Sequence, residues 1–430
     1  MTSPRRRILL VDADAFFVAV ARQVDPDGAG RAELLIVGGS AESRGVVCSA
    51  SYPVRKFGVR SGMPIRAAVR RCPGALCVPV PRAACGARSR EIAAVLAAWA
   101  PVVQASSIDE WYLDLGGTEA LYGEPLADTA RRIRAAVHAA TGLGVSIGGG
   151  TSKLVAKLAV ELGKPGAGGD GVHVVAPGGE GAFLRRFTLG ELPMVGPKLT
   201  ERLAQLGLRT VDDALAHGEA ALVGLLGART GRWLWTRVRG VDESPVRARE
   251  AQKSVSREDT FGHDLHDDAA LERELLRLVG RVGADLRGDG LRARTITVKV
   301  RDADFTTRQA ACTLDAPVES DRAIAEVARP LFRRLRRSRR VGVRLLGIAC
   351  SGFGEGRGTP DPAAQLALFG EAAPGRGGAP TAVDAPAPTV VETERDRRLA
   401  RTVDAIRGRF GVGSIGPAAL HGGDDPAGGR

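Results

Sequence analysis

The chain has 430 residues, 44% of them hydrophobic, with a formal net charge of +12 from 61 Lys and Arg against 49 Asp and Glu. That length predicts roughly two to four domains, and so large a positive surplus points to a polyanionic partner, nucleic acid before an anionic membrane surface. No apolar stretch approaches the ~18 residues of a membrane span, and six cysteines without a CxxC pair argue against a zinc site or a disulfide framework.

Residues 8–11 are an apolar run bounded by arginines and Asp12, which reads as a buried strand ending at a carboxylate. Asp12 and Asp14 interrupt the run, so it is not a secretory leader, and a cytoplasmic location is expected. Residues 34–37 read as a strand, 91–99 as a helix, 102–106 and 111–115 as two strands, 126–140 as a helix, 143–147 as a strand and 152–162 as a helix. Residues 183–240 read as a small all-helical region, with Leu199, Leu203 and Leu206 on one face and a capping box at Thr210 and Asp213. A linker is expected over 241–250.

The spacing of Leu271, Leu275, Leu278, Val282 and Leu286 predicts an amphipathic helix, and Ile324, Val327, Leu331 and Leu335 predict another. Strands are expected at 253–261, 293–301, 305–314 and 341–350, giving the split order β-α-β-β-α-β. After Gly352 the chain is rich in Pro, Gly and Ala and reads as a disordered tail. Two islands interrupt it: Gln365-Leu366-Ala367-Leu368-Phe369, and 391–410, where Leu399, Val403, Ile406 and Phe410 recur at helical spacing and suggest a short docking helix.

The chemistry lies in two carboxylate pairs. Val11-Asp12-Ala13-Asp14 puts one at a strand end, and Ser106-Ser107-Ile108-Asp109-Glu110 puts the other between two strands. Each alone is a modest signal, since alternation sends neighbours to opposite faces unless a turn re-aims them. Together, Asp12, Asp109 and Glu110 could supply the hard oxygen donors that two magnesium ions need for phosphoryl transfer.

Four motifs in order then carry a resemblance. Val11 to Phe17 is similar to the opening motif of the Y-family DNA polymerases, and Cys48-Ser49-Ala50-Ser51-Tyr52-Pro53-Val54-Arg55-Lys56-Phe57-Gly58-Val59 to their finger motif. Ser107-Ile108-Asp109-Glu110 with Trp111 to Asp114 resembles their second catalytic motif. Ser152-Lys153 through Ala156-Lys157 to Gly163-Lys164-Pro165 resembles their last palm motif. The resemblance spans about residues 5–352 and is nearest the DNA polymerase IV (DinB) type.

It implies a multi-domain α+β right hand. The palm would be 1–16 and 82–175, small fingers 17–81, a helical thumb 176–243, a linker 244–250, a little finger 251–353 and a flexible tail 354–430. It implies two Mg²⁺ on Asp12, Asp109 and Glu110, with Glu110 at the catalytic metal and the Ala13 carbonyl as a further ligand. Asp14 would be structural. Phe17 would be the steric gate beside Phe16, one of the two being core, and Tyr52, Arg55 and Lys164 would contact the incoming triphosphate. Lys198, Lys253, Arg257, Arg294, Lys299, Arg301 and Arg308 would grip primer–template DNA, with the 333–340 arginine run beside them. Gln365, Leu366, Leu368 and Phe369 resemble the peptide that docks on a sliding clamp. The expected reaction is addition of deoxynucleotides by a monomer, in synthesis past damaged bases.

Two positions depart from the family pattern. Ala21 stands where Glu is frequent, and Met194 replaces the first glycine of a helix-hairpin-helix turn. Rival readings are a nucleotidyl cyclase, which needs no finger motif, and a catalytically inactive relative acting as a scaffold, which would have lost the metal carboxylates.

Overall fold

The computed structural model describes residues 6–41, 43–248, 251–353, 390–411 and 413–416. The chain divides into two units, Met1–Glu250 and Ala251–Arg430. Among the described residues, no helix is long and apolar enough to cross a membrane.

In the first unit the strands are β1 (Ile8–Ala13), β2 (Leu35–Val37), β3 (Ser49–Ala50), β4 (Leu76–Val78), β5 (Val102–Ala105), β6 (Glu110–Asp114), β7 (Val145–Gly150) and β8 (Val172–Val174). They form a five-stranded sheet in the order β5-β6-β1-β7-β8 and a three-stranded sheet in the order β3-β2-β4. Strand β1 is buried on both faces, which is why its sequence is a continuous apolar run rather than an alternation. Leu9, Val11 and Ala13 share a core with Trp111, Phe16, Ile92 and Ile133. Ile8 and Leu10 face the other way, toward Tyr112, Ala156 and Val160. Asp12 is the next residue on the Ile8–Leu10 face, so strand alternation sends it to the side that carries the helix Lys153–Gly163.

That helix lies directly on β7. A Cβ at Gly148 would fall 2.2 Å from both the Ala156 carbonyl oxygen and the Val160 nitrogen, so only glycine admits the helix backbone this close. The expectation of a strand ending at 147 is therefore corrected: β7 continues through Gly148, Gly149 and Gly150, which look like a turn in sequence. The helix's other side, Leu154, Val155, Leu158 and Ala159, packs with Phe183, Leu203, Leu222 and Leu234 of the helical region. Each such fully buried aliphatic side chain contributes ~1.5–3 kcal/mol.

The helical region comprises Glu180–Leu184, Pro197–Gln205, Val211–Leu226 and Ala228–Val238. Its capping box forms as expected: Asp213 N–H donates to Thr210 Oγ1 at 3.1 Å, and Thr210 N–H donates to Asp213 Oδ2 at 2.8 Å. The helix expected at 91–99 is Arg82–Ala97, beginning a full two turns earlier. Its first half is Ala, Gly and Arg without apolar period, so only the second half was readable. Of the expected linker, residues up to 247 lie against the first unit: Val246 is buried with Ile8 and Leu10, and Arg247 N–H donates to Gln104 Oε1 at 3.2 Å.

The second unit follows the β-α-β-β-α-β order. Strands β9 (Ser254–Leu265), β10 (Ala293–Asp302), β11 (Thr307–Val318) and β12 (Val343–Phe353) pair antiparallel in the order β11-β10-β12-β9. Helices Asp268–Gly288 and Asp321–Ser338 cover one face, meeting Ile296, Val298 and Val300 through the predicted leucine stripes.

The docking helix expected in the second island of the tail is present as Glu394–Phe410. Arg287 donates to Asp404 through Nε (2.6 Å) and Nη2 (2.9 Å), and Arg322 donates to Asp396 through Nε and Nη2, both at 2.7 Å. Charge pairing dominates this contact: of the apolar stripe, Val403 and Ile406 are half-buried and Leu399 and Phe410 remain 63% and 67% exposed. The Gln365–Phe369 peptide, with Leu366 and Leu368, lies outside the described residues.

Candidate active site

The ladder between β1 and β6 sets Asp12 directly opposite Glu110 and Val11 opposite Trp111. Opposed residues of an antiparallel pair point to one face with Cβ atoms ~4.5–5.5 Å apart. Two carboxylates 98 positions apart in sequence thus meet because the strands pair in this register. Asp109 sits in the turn just before β6, where its carbonyl accepts from Ala13 N–H at 2.9 Å. Its side chain accepts from Ser107 Oγ at 2.5 Å. A cleft of about 220 Å³ opens here, lined by Asp12, Ala13, Asp109, Glu110, Phe16, Phe17, Tyr52, Arg55 and Lys164. It brings together every metal and nucleotide residue expected from sequence. Cys48, Ser49 and Ser61, to which the motifs assign no role, also line it.

Two lysines compensate the carboxylates. Lys164 Nζ lies 2.9 Å from Asp12 Oδ2 and 2.7 Å from Glu161 Oε1. Lys157 Nζ pairs with Glu110 Oε1. Lys157 shares a helical face with Lys153, whose ammonium lies 4.6 Å from the Tyr112 ring centroid, and Lys164 follows as the C-cap of that helix. Burial pushes the Asp12 carboxyl up to about 6, against the Lys164 ammonium that holds it down. Burial lowers Lys164, but the Asp12 and Glu161 carboxylates outweigh it and raise its pKa above the ordinary lysine value.

Backbone geometry fixes the rest of the cleft. Ala15, in the turn from β1 to the helix Phe16–Val24, takes a left-handed φ of 45° and ψ of 45°, a strained conformation for a residue with a Cβ. That turn buries Phe16 and leaves Phe17 half-buried, the rings meeting edge-on at 5.5 Å. Asp14 accepts from Ser146 Oγ at 2.7 Å. The Arg55 guanidinium lies 4.7 Å from the Tyr52 ring centroid while its Nε donates to the Ala50 carbonyl at 2.9 Å, which orients both side chains.

All-oxygen donors suit a hard divalent cation, and the pairing of Asp12 with Glu110 fits one. Among the described residues, however, no three acidic, imidazole or thiol side chains are gathered closely enough to hold a metal. Asp109 is turned to Ser107 and Glu110 is held by Lys157.

The expected DNA-gripping residues differ in availability. Lys198 is exposed in the first turn of its helix, and Lys253 is exposed before β9. Arg257 is bidentate to Asp285, Lys299 is buried against Glu258, and Arg308 is paired with Asp302. Arg294 donates to the Leu314 carbonyl and Arg301 to Thr307 Oγ1. Of the 333–340 run, Arg333, Arg336 and Arg339 pair with Glu272, Asp268 and Asp304. Met194 is 81% exposed and takes a φ of 72°, so the turn keeps a glycine's conformation without the glycine. A shallower groove of about 580 Å³ beside Arg257 and Asp285 in the second unit lacks such a convergence of reactive groups.

Comparison with known proteins agrees with this geometry. The impB/mucB/samB family matches residues 11–161, and its C-terminal domain matches 252–368. The chain is 36% identical over 348 residues to a DNA polymerase IV of Dehalococcoides mccartyi, covering 81% of this chain and 87% of that one. The chain belongs to the impB/mucB/samB family, the Y-family DNA polymerases. A DNA polymerase IV of Streptomyces coelicolor is 38% identical over 350 residues, covering 81% of this Y-family chain and 71% of its own. Among solved structures, a Y-family polymerase chimera of Dbh and Dpo4 superposes with a TM-score of 0.72 at 26% identity. DinB from Sulfolobus solfataricus superposes at 0.55, also at 26% identity. Each covers 81% of this chain and 99% of its own. The chain is thus a DNA-directed DNA polymerase.

Proposed function

We propose that this polymerase extends a primer 3′-end by two-metal phosphoryl transfer at the Asp12–Glu110 cleft, in low-fidelity synthesis past damaged bases. The observation that carries the reading is the register that opposes Asp12 and Glu110, with Lys164, Tyr52 and Arg55 around the same cleft. Asp12, Asp109 and Glu110, with the Ala13 carbonyl, would hold two Mg²⁺, which supply charge stabilisation to the attacking and leaving oxygens. Arg55 forks onto phosphate oxygens, with Tyr52 beside it, and Lys164 adds a point charge. In this reading Lys164 exchanges Asp12 for the triphosphate when the nucleotide arrives.

The unit containing the five-stranded sheet would serve as palm (1–16 and 82–175), fingers (17–81) and thumb (176–243), and residues 251–353 as little finger on the duplex. Lys198 and Lys253 are the best placed of the expected phosphate contacts because both are exposed, whereas Arg257, also exposed, is forked onto Asp285. Gln365–Phe369 would tether the enzyme to the sliding clamp, with the chain acting as a monomer.

Primer extension with Mg²⁺ and dNTPs, comparing the parent with Glu110→Ala, tests the site. Extension by the parent and a loss of about 10³-fold or more in the variant is expected; equal rates would sink the assignment. Phe17 lines the cleft beside buried Phe16, as a ring that excludes a ribose 2′-hydroxyl would. Phe17→Ala should raise ribonucleotide incorporation while retaining DNA synthesis, and an unchanged ribo-to-deoxy ratio would remove the gate.

A further inference from the structure

We propose that Lys157 is a positioning residue that holds Glu110 until a divalent cation takes its place, and so sets how tightly that cation binds. The inference rests on the metal reading of the cleft. Its first support is the contact: Lys157 Nζ donates to Glu110 Oε1, with the two side chains 30% and 22% exposed. A pair this open to water can exchange partners without unfolding.

The second support is how the lysine is placed. The helix Lys153–Gly163 is seated on β7 at Gly148, where no side chain fits, which fixes its height above β1 and β6. Lys153 and Lys157 on this helix, and Lys164 at its C-cap, then reach Tyr112, Glu110 and Asp12 respectively.

The third is residue type. Only seven of the 61 basic residues are lysine, and three of them stand in this row. An arginine would clamp a carboxylate through two parallel hydrogen bonds, whereas an ammonium is a compact point charge that a metal ion can replace. With Lys157 on Glu110 and Ser107 on Asp109, the acidic side chains are kept apart. Metal loading must undo both contacts and expel one positive charge from beside Glu110.

The test is calorimetric titration of Mn²⁺ into the full chain, without nucleotide turnover, for the parent, Glu110→Gln, Lys157→Met and Lys157→Arg. Lys157→Met should bind Mn²⁺ roughly tenfold more tightly, because a repelling and competing charge is gone. Lys157→Arg, which keeps the charge, should bind no more tightly than the parent and controls for lost packing. Unchanged or weaker binding in Lys157→Met, with Glu110→Gln weakened, would overturn the role of Lys157 alone. Equal binding by the parent and Glu110→Gln would overturn the metal reading of Glu110, and this inference with it.

Discussion

The cleft of the first unit and the seat of the C-terminal helix in the second are both clusters of basic and acidic side chains, yet they are built oppositely. In the cleft, Lys157 and Lys164 each meet a carboxylate as single ammonium groups. On the second unit, Arg287 and Arg322 each grip a carboxylate with two nitrogens, and Arg287, only 4% exposed, reaches Asp321 as well. Glu392 adds a cap, accepting from Glu319 N–H at 2.9 Å and Ser320 N–H at 2.6 Å at the start of the helix Asp321–Ser338. Forked guanidinium pairs suit a join that stays closed, and point-charge ammonium pairs suit a site where cations and phosphates exchange.

Among substitutions at these clusters, the greatest loss is expected at Arg287. Arg287→Met should cost about 3 kcal/mol by leaving Asp321 and Asp404 without their shared partner, read by denaturant unfolding. Hydrogen-exchange protection over 394–410 should fall with it. Undiminished protection there would mean that the ion pairs do not seat the helix.

Acid should separate the two clusters. Asp12, raised to about 6 by burial, takes up its proton as pH falls through that value and its pair with Lys164 goes. The fork of Arg322 holds Asp396 well below the usual carboxylate range. Burial pushes Glu392 up, but the Glu319 and Ser320 N–H groups outweigh it and keep it low. For such depressed groups the stabilisation is complete above the ordinary carboxylate value near ~4 and is lost only as pH falls below it. Asp321, raised by burial, works in the opposite direction. Carboxyl NMR titration should therefore show Asp12 protonating while Asp396 and Glu392 stay ionised; coincident titration of the three would erase the contrast.

The smallest effect sharpens the point about residue type. Arg322→Lys should loosen the 394–410 helix by only ~0.5 kcal/mol, because Arg322 is exposed to water and the pair loses its fork but not its charge. A loss as large as that at Arg287 would show that the fork, not burial, carries the docking.

Much of this was legible in the chain. The apolar run at 8–11 and the stripes Leu271–Leu286 and Ile324–Leu335 predicted their elements, because a buried face repeats with the period of its backbone. Asp12, Asp109 and Glu110 could be picked from motif order, together with Tyr52, Arg55 and Lys164. Three things were not legible. The glycines of β7 look like a turn until the helix above them is known. The apolar stripe over 391–410 predicts a docking helix but not the ion pairs that seat it. Lys299, Arg257 and Arg308 look like free cations until Glu258, Asp285 and Asp302 are found beside them.

Sequence alone fixed the longer elements, their order and the identity of the acidic and cationic groups, since periodicity and motif spacing are local properties. Tertiary structure alone decided which charge meets which. Lys157 and Glu110 are 47 positions apart, and Arg287 and Asp404 are 117 apart. No local pattern encodes such a pairing, because a charged side chain is compatible with water until the fold brings a partner to it.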